Sequence, residues 1–185
     1  MNIEVRHLPA NCHSSHRLES VDGAVIHFIS DRFQHPETPF DFELIFAMLS
    51  SLRLSYHVAI PREGPPIELV DLNFQAWHAG YSILNGREMC NHFTHGVALV
   101  GRPGVAYTDS QIAYLGEWLA HDMAQHGYTT DNIAGHDEVR SAWNAAHPEK
   151  PAEQKHDPGD LFPWKQIRDM LSGVDMANRL KRGEG

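Results

Sequence analysis

Short apolar runs of strand length alternate along this chain with segments that repeat their apolar residues at helical spacing. An amphipathic stripe runs from Phe42 to Leu49, a capping-box pattern opens a second helix at Thr108, and Pro163 begins a third. Strands are predicted at 24–30, 55–60, 67–70, 96–101 and 133–136. This alternation favours an α/β fold with a central mixed β-sheet flanked by helices.

The length of 185 residues suits a single domain with a proper core and is short for two. We expect the core to span about 20–172 and the charged tail at 176–185 to be frayed. The segment 76–91 is predicted to be a long surface loop, and so is the segment rich in Pro, Ala and Glu that follows residue 136. Loops of this length usually have a functional or covering role.

The composition excludes several classes of partner. A formal net charge of −9 argues against nucleic acid, because nucleic-acid binders usually carry a basic stripe. The two cysteines allow at most one disulfide, which suits a reducing compartment. The N-terminus lacks the apolar region of a secretory signal, and no run approaches the ~20 apolar residues of a membrane span. We therefore expect a cytoplasmic protein without a membrane partner, and we expect a monomer.

Two distant segments carry side chains of the kind that bind zinc. His136 is the last residue of the last predicted strand, and Asp157 stands directly before a Pro-Gly turn. His27, inside the first apolar run, is a third candidate. Each has a simpler explanation, because a strand histidine is more often a hydrogen-bonded core residue and an aspartate favours the turn itself. The spacing also differs from the helical H-E-x-x-H zinc motif, so the pattern alone is weak evidence for a metal site.

A series of short motifs gives the chain a resemblance to a known family. The motifs are IHFIS at 26–30, SYHV at 55–58, REG at 62–64, AWHAG at 76–80, GREMCN at 86–91, GVALVG at 96–101, YTDSQ at 107–111, GHD at 135–137 and KHDPG at 155–159. In this order and at these intervals they resemble the type 2 N-acetylmuramoyl-L-alanine amidases, zinc enzymes related to the peptidoglycan recognition proteins. The resemblance implies one catalytic domain with that family's fold.

The same resemblance implies a metal site and a reaction. His27, His136 and Asp157 would bind one Zn²⁺ per chain and leave a fourth position for water. Zinc can lower the pKa of its water to about 7, which makes hydroxide available at neutral pH. In this family the hydroxide attacks the lactyl carbonyl of the bond between N-acetylmuramic acid and L-alanine. The implied partner is therefore peptidoglycan or a muropeptide.

The resemblance also concerns three positions that affect catalysis, which are Lys155, Tyr56 and Ala98. Lys155 matches the family's catalytic lysine, which would stabilise the oxyanion, and a solvated loop lysine is the alternative. Ala98, natural or engineered, stands where many members carry a glutamate that acts on the water. Some phage-lysozyme members lack that glutamate and carry a tyrosine at the position of Tyr56. We expect the Tyr56 hydroxyl to orient the water or the carbonyl, because a tyrosine of pKa near 10 is a poor base; packing against the sheet is the alternative.

Further polar residues of the motifs are candidates for substrate binding. Trp77 and His78 suit sugar and amide contacts in a groove, with packing inside the loop as the alternative. Arg87 and Asn91 either touch the stem peptide or fix the loop. The resemblance places no zinc-ligand role on the remaining histidines of these motifs, which are His57, His78 and His156.

The resemblance leaves two functions and two biological settings open. A non-catalytic module that binds peptidoglycan is favoured by Ala98, whereas the complete ligand set favours the enzyme. Among enzymes, the motifs at 76–80 and 86–91 resemble muropeptide-recycling members, and Tyr56 with Ala98 resembles phage members. We expect the lytic, endolysin-like enzyme, which would reside in the host cytoplasm before its release to the cell wall.

Overall fold

The computed structural model describes residues 2–17, 19–31 and 33–184, and the predicted domain also includes residues 1, 18, 32 and 185, which lie outside this part. Its strands are β1 (Glu4–Val5), β2 (His13–Ser14), β3 (Ala24–Ile29), β4 (Val58–Ile60), β5 (Ile67–Glu68), β6 (Gln75–Ala76), β7 (Ile83–Leu84), β8 (Arg87–Glu88), β9 (His95–Val100) and β10 (Ile133–Gly135). Its helices are α1 (Phe42–Leu52), α2 (Asp109–His126), α3 (His136–Ala146) and α4 (Trp164–Arg182). The predicted α/β architecture is confirmed.

Six of the strands form one mixed sheet in the order β1-β5-β4-β9-β3-β10. The strands β4, β9, β3 and β10 are parallel to one another, and β5 pairs with β4 in the antiparallel direction as the predicted hairpin. The carboxyl ends of parallel strands lie at one edge of a sheet, where ligands bind in open α/β folds. His136 directly follows β10 and therefore lies at this edge.

Alternate side chains of the central strands enter two different apolar cores. Ile26, Val97 and Leu99 pack in the core that also contains residues of α2 and α4. Ile29 and Ala98 pack in the second core, which contains residues of α1. Because side chains along a strand alternate between faces, His27 lies on the α1 side of the sheet, between Ile26 and Phe28 in β3. Within the described residues, no helix is both long and apolar enough to cross a membrane.

The segment after β10 differs from the prediction. The sequence predicts a strand through His136 and then a loop, but the strand ends at Gly135 and His136 begins α3. The Gly135 N–H donates to the Glu138 carboxylate at 2.7 Å, which satisfies a donor at the helix start. Val139 and Trp143 are four residues apart and form the buried face of the helix.

The prediction of a long surface loop at 76–91 is wrong. The segment contains the β7–β8 hairpin and a 3₁₀ turn at Cys90–His92. Ala79, Ser82 and Cys90 are buried, and the Cys90 N–H donates to the Ser82 hydroxyl at 3.1 Å. The segment packs against Val25 and Ala134 of the sheet, so its buried residues form part of an apolar core.

The tail predicted to fray from residue 176 is instead the end of α4, and only its last residue, Gly185, lies outside the described part. The buried Asn178 donates from Nδ2 to the carbonyl oxygens of Met123 at 2.9 Å and Tyr128 at 2.8 Å. Arg179 forms ion pairs with Asp131 and Asp175. The contacts with Met123, Tyr128 and Asp131 hold the end of α4 against α2 and the segment that follows it.

We expect Asn178→Ala to destabilise the protein by about 1–3 kcal/mol, because two buried carbonyl groups lose their donor. Met176→Ala is the matched control on the same helix, since the Met176 side chain is 67% exposed. Urea unfolding followed by circular dichroism measures both variants. Equal unfolding free energies for the two variants would mean that this end of the helix does not contribute to the fold.

Candidate active site

Three side chains from distant parts of the chain converge at the carboxyl edge of the sheet. Nδ1 of His27 lies 3.2 Å from Nδ1 of His136 and 2.9 Å from Oδ2 of Asp157. Nδ1 of His136 lies 3.1 Å from the same carboxylate oxygen, and all three residues are buried. The structure thus brings together the three ligands predicted from the sequence, at a spacing that suits a metal ion.

The sheet register explains why the two histidines meet. Gly135 ends β10 in register with Ile26, the residue immediately before His27 in β3, so His136 leaves the sheet beside His27. The Asp157 segment is attached to the start of α3, because the Asp137 N–H donates to the Asp157 carbonyl at 2.9 Å. Strand pairing and one backbone hydrogen bond therefore position the group.

The hydrogen bond at Nε2 of His136 indicates which nitrogen of this ring is available to a metal. Nε2 of His136 lies 3.2 Å from the Ala79 carbonyl oxygen, which can only accept, so this nitrogen carries the hydrogen. In a neutral His136 ring, Nδ1 would then present a lone pair to a lone pair of Asp157. Such an arrangement needs a proton or a cation between the two atoms.

The pKa directions of His27 and Asp157 favour the protonation states that bind a divalent metal. Burial lowers the pKa of His27 to about 4, although the Asp157 carboxylate acts in the opposite direction. Burial alone would raise the pKa of Asp157, but the imidazoles of His136 and His27 outweigh it and the net direction is downward. A neutral His27 and an ionised Asp157 are the forms in which these side chains bind divalent metals.

A cavity of about 350 Å³ opens beside this group, and its volume is in the range of small-molecule sites. His136 and Asp157 form part of its wall, so a metal held there would be accessible to a ligand. The predicted site residues that also line it are Tyr56, Trp77, His78, Asn91 and Lys155.

Tyr56 and Lys155, from different segments of the chain, both line the cavity. The Tyr56 ring centroid lies 4.9 Å from that of His27, and burial together with the Asp157 charge raises the pKa of the Tyr56 hydroxyl. Nζ of Lys155 lies 3.2 Å from a Glu153 carboxylate oxygen, and one third of its side chain is exposed. Ala98 pairs with His27 in the sheet and is fully buried, so it presents only a methyl group there.

Residues of the 76–91 segment contact the candidate metal ligands. His78 is buried, and its Nδ1 lies 3.0 Å from Nε2 of His27. Oδ1 of Asn91 accepts hydrogen bonds from the backbone N–H groups of His78 and Ala79. The Trp77 N–H donates to the Ser55 hydroxyl at 2.9 Å. His78 and Asn91 thus line the cavity but make their polar contacts inside the protein.

The structure does not bring Arg87 to the cavity. Its guanidinium pairs with Asp22 at 2.9 Å and with Glu19, and it lies 3.8 Å from the centroid of the Phe93 ring. These contacts favour the alternative in which Arg87 fixes the loop. His156, between two site residues, is exposed and lines a different cavity.

Arg140 is a cavity residue that the sequence interpretation missed. It is buried, and it donates to the carbonyl oxygens of Tyr81 at 2.7 Å, Glu153 at 2.8 Å and Ala79 at 3.1 Å. It therefore joins the 76–91 segment to the segment that carries Lys155. Its position four residues after His136 is the helical signal that could have found it.

His95, Asp122 and His126 form a second group with possible metal-ligand spacing. His95 uses both ring nitrogens, toward Asp122 at 2.9 Å and toward the Leu72 carbonyl at 3.0 Å. The Tyr128 hydroxyl also donates to Asp122, at 2.7 Å. None of the three lines the cavity at His136, and these bonds identify the group as part of the packing between β9 and α2.

Comparison with known sequences places the chain in a family. The family described as N-acetylmuramoyl-L-alanine amidase matches residues 17–160, and the chain belongs to this family. A curated relative, 1,6-anhydro-N-acetylmuramyl-L-alanine amidase AmpD of Salmonella typhimurium, is 33% identical over 132 residues. The match covers 71% of this chain and spans 65% of the length of that relative.

Solved structures of relatives have the same fold. A crystal structure of AmpD matches with a TM-score of 0.69 and 28% identity, covering 91% of this chain and 94% of that chain. Escherichia coli AmiD, in complex with the substrate anhydro-N-acetylmuramic acid-L-Ala-D-gamma-Glu-L-Lys, matches with a TM-score of 0.64 and 26% identity. That match covers 81% of this chain and 57% of AmiD.

Proposed function

We propose that this protein is a zinc-dependent amidase that hydrolyses the bond between N-acetylmuramic acid and L-alanine. The observation that carries the proposal is the convergence of His27, His136 and Asp157 at the wall of an open cavity. The description of the matching family and the names of the relatives refer to this bond. The chain therefore has a possible ligand set of the kind found in zinc hydrolases. It also belongs to a family whose name states the bond that is cut.

The donor set suits Zn²⁺. Two imidazole nitrogens and one carboxylate oxygen are a ligand set of catalytic zinc sites, which keep a fourth position open. Bound there, Zn²⁺ would polarise the scissile carbonyl and lower the pKa of its water to about 7. The part of His27, His136 and Asp157 is to hold the metal with their neutral imidazoles and ionised carboxylate.

Lys155 and Tyr56 would act on the reacting groups from the cavity wall. The Lys155 ammonium would stabilise the negative charge that develops on the carbonyl oxygen. The Tyr56 hydroxyl, which its raised pKa keeps protonated, would donate a hydrogen bond to orient the water or the carbonyl. This role as a donor fits a site in which Ala98 offers no carboxylate.

A muropeptide is the substrate that the relatives favour. The AmiD complex contains an anhydro-muramoyl peptide as its substrate, and the AmpD relatives are named for the anhydro sugar. We therefore propose anhydro-muropeptides as the preferred substrate, in place of the intact wall that Tyr56 and Ala98 suggest. We also propose a cytoplasmic location, which fits this substrate.

A module that binds muropeptides without cutting them is the second candidate. Ala98 is the observation that favours it, because an alanine can neither accept nor donate a proton. The three metal donors weigh against it, since recognition alone does not need a complete catalytic ligand set.

We expect elemental analysis to find about one zinc per chain. His136→Ala should lose most of this metal, because it removes one of three protein donors. His156→Ala is the matched control: His156 is exposed and faces another cavity. Full zinc retention in His136→Ala would remove His136 from the ligand set.

Tyr56→Phe should retain its zinc and lower the turnover number by at least about tenfold, because one hydrogen-bond donor to the reacting groups is lost. Tyr114→Phe serves as the control, since Tyr114 packs with the α2 core on the other face of the sheet. Steady-state kinetics on a purified muropeptide measures both variants. Unchanged turnover in Tyr56→Phe would mean that the hydroxyl takes no part.

Digestion of purified anhydro-muropeptides and of intact sacculi, with products identified by mass spectrometry, tests the proposed reaction. We expect release of free stem peptide, faster from the muropeptides, and no release by His136→Ala. A zinc-loaded protein that binds muropeptides but cuts neither substrate would be a recognition module. Faster cleavage of sacculi would identify a lytic enzyme instead.

A further inference from the structure

His78 contacts His27. Neither of the two roles predicted for His78, substrate binding in a groove and packing inside the loop, explains this contact. Its ring is 7% exposed, and its Nδ1 lies 3.0 Å from Nε2 of His27. This is the ring nitrogen of His27 that faces away from His136 and Asp157. One of the two facing nitrogens must carry a hydrogen, and which one carries it decides whether Nδ1 of His27 is free to bind a metal.

Thr94 determines where this hydrogen lies. The Thr94 hydroxyl donates to the Cys90 carbonyl at 2.7 Å, so its oxygen is available as an acceptor on the other side. That oxygen lies 3.5 Å from Nε2 of His78, which therefore carries a hydrogen. In the neutral ring of His78, Nδ1 is then the acceptor. It follows that Nε2 of His27 is the donor and that Nδ1 of His27 carries the lone pair.

Ala79, the residue after His78, orients the ring of His136 in the same way. The Ala79 carbonyl accepts from Nε2 of His136 at 3.2 Å, which leaves Nδ1 of His136 with its lone pair. Asn91 holds residues 78 and 79 together, because its Oδ1 accepts from their two backbone N–H groups at 3.1 and 2.8 Å. Two consecutive residues, fixed by one amide, therefore orient both imidazoles.

The sheet also makes room for the His78 ring. A Cβ atom at Gly96 would lie 2.4 Å from Cγ of His78, a distance that real atoms do not adopt. Only glycine at this position of β9 allows the ring to reach His27. The close approach indicates a defined position for the ring and not loose packing inside a loop.

We propose that His78 is a positioning residue for the metal site: it accepts a hydrogen bond from Nε2–H of His27 and so presents Nδ1 of His27 to the metal. This inference deepens the proposed function and rests on it, because it assumes that His27 binds zinc. Removal of partners that orient metal ligands typically weakens metal binding by 10- to 100-fold.

Zinc affinity of purified protein, measured by competition with a chromophoric chelator, tests the proposal directly. We expect His78→Leu to raise the zinc Kd by about 10- to 100-fold, because the acceptor is lost. His78→Asn is the matched variant, since its Oδ1 can replace Nδ1 as acceptor, and its Kd should stay within about threefold of wild type. The absorption spectrum of bound Co²⁺ reports whether the ligand geometry is kept.

A wild-type Kd in His78→Leu, or an equal loss in His78→Leu and His78→Asn, would overturn the proposal. Should His78→Leu fail to fold by circular dichroism, Thr94→Val removes the acceptor of the second bond instead. It should weaken zinc binding, whereas Thr94→Ser should not, and equal Kd values for these two variants would contradict the chain of bonds. Absence of zinc binding in the wild-type protein would refute the proposed function itself, so the two failures are distinguishable.

Discussion

Lone pairs that point at one another inside a protein need a hydrogen or a metal cation between them, and this constraint governs the whole site. Nδ1 of His27, Nδ1 of His136 and Oδ2 of Asp157 approach one another to within 3.2 Å. The hydrogen bonds on the far side of each imidazole make Nδ1 the nitrogen that a neutral ring would offer to a cation. The protein thus holds three possible metal donors close together.

The fold makes this arrangement possible by bringing together segments that are far apart in the chain. Parallel pairing of β10 with β3 sets the two histidines side by side, and the start of α3 holds the Asp157 segment. The 76–91 segment then closes the site from behind through His78 and Ala79. Apolar packing on both faces of the sheet fixes the strands, so the ligands inherit their positions from the core.

Periodicity alone predicted most of the fold but little of the site. The apolar runs at β3 and β9 and the stripes of α1 and α2 are local patterns, and the structure confirms them. The helix α3 was missed because its apolar residues Val139 and Trp143 are sparse among polar ones. The ligand set came from resemblance, since no local pattern shows that His27 and His136 meet. The contacts of His78 and Arg87 were not predictable, because each depends on partners from other elements.

A structure of the zinc-loaded protein, determined by crystallography, tests the central claim most directly. We predict one Zn²⁺ bound by Nδ1 of His27, Nδ1 of His136 and a carboxylate oxygen of Asp157. The fourth position should hold water and face the cavity that contains Tyr56 and Lys155. Coordination through Nε2 of either histidine, or a fourth ligand from the protein that closes the site, would contradict it.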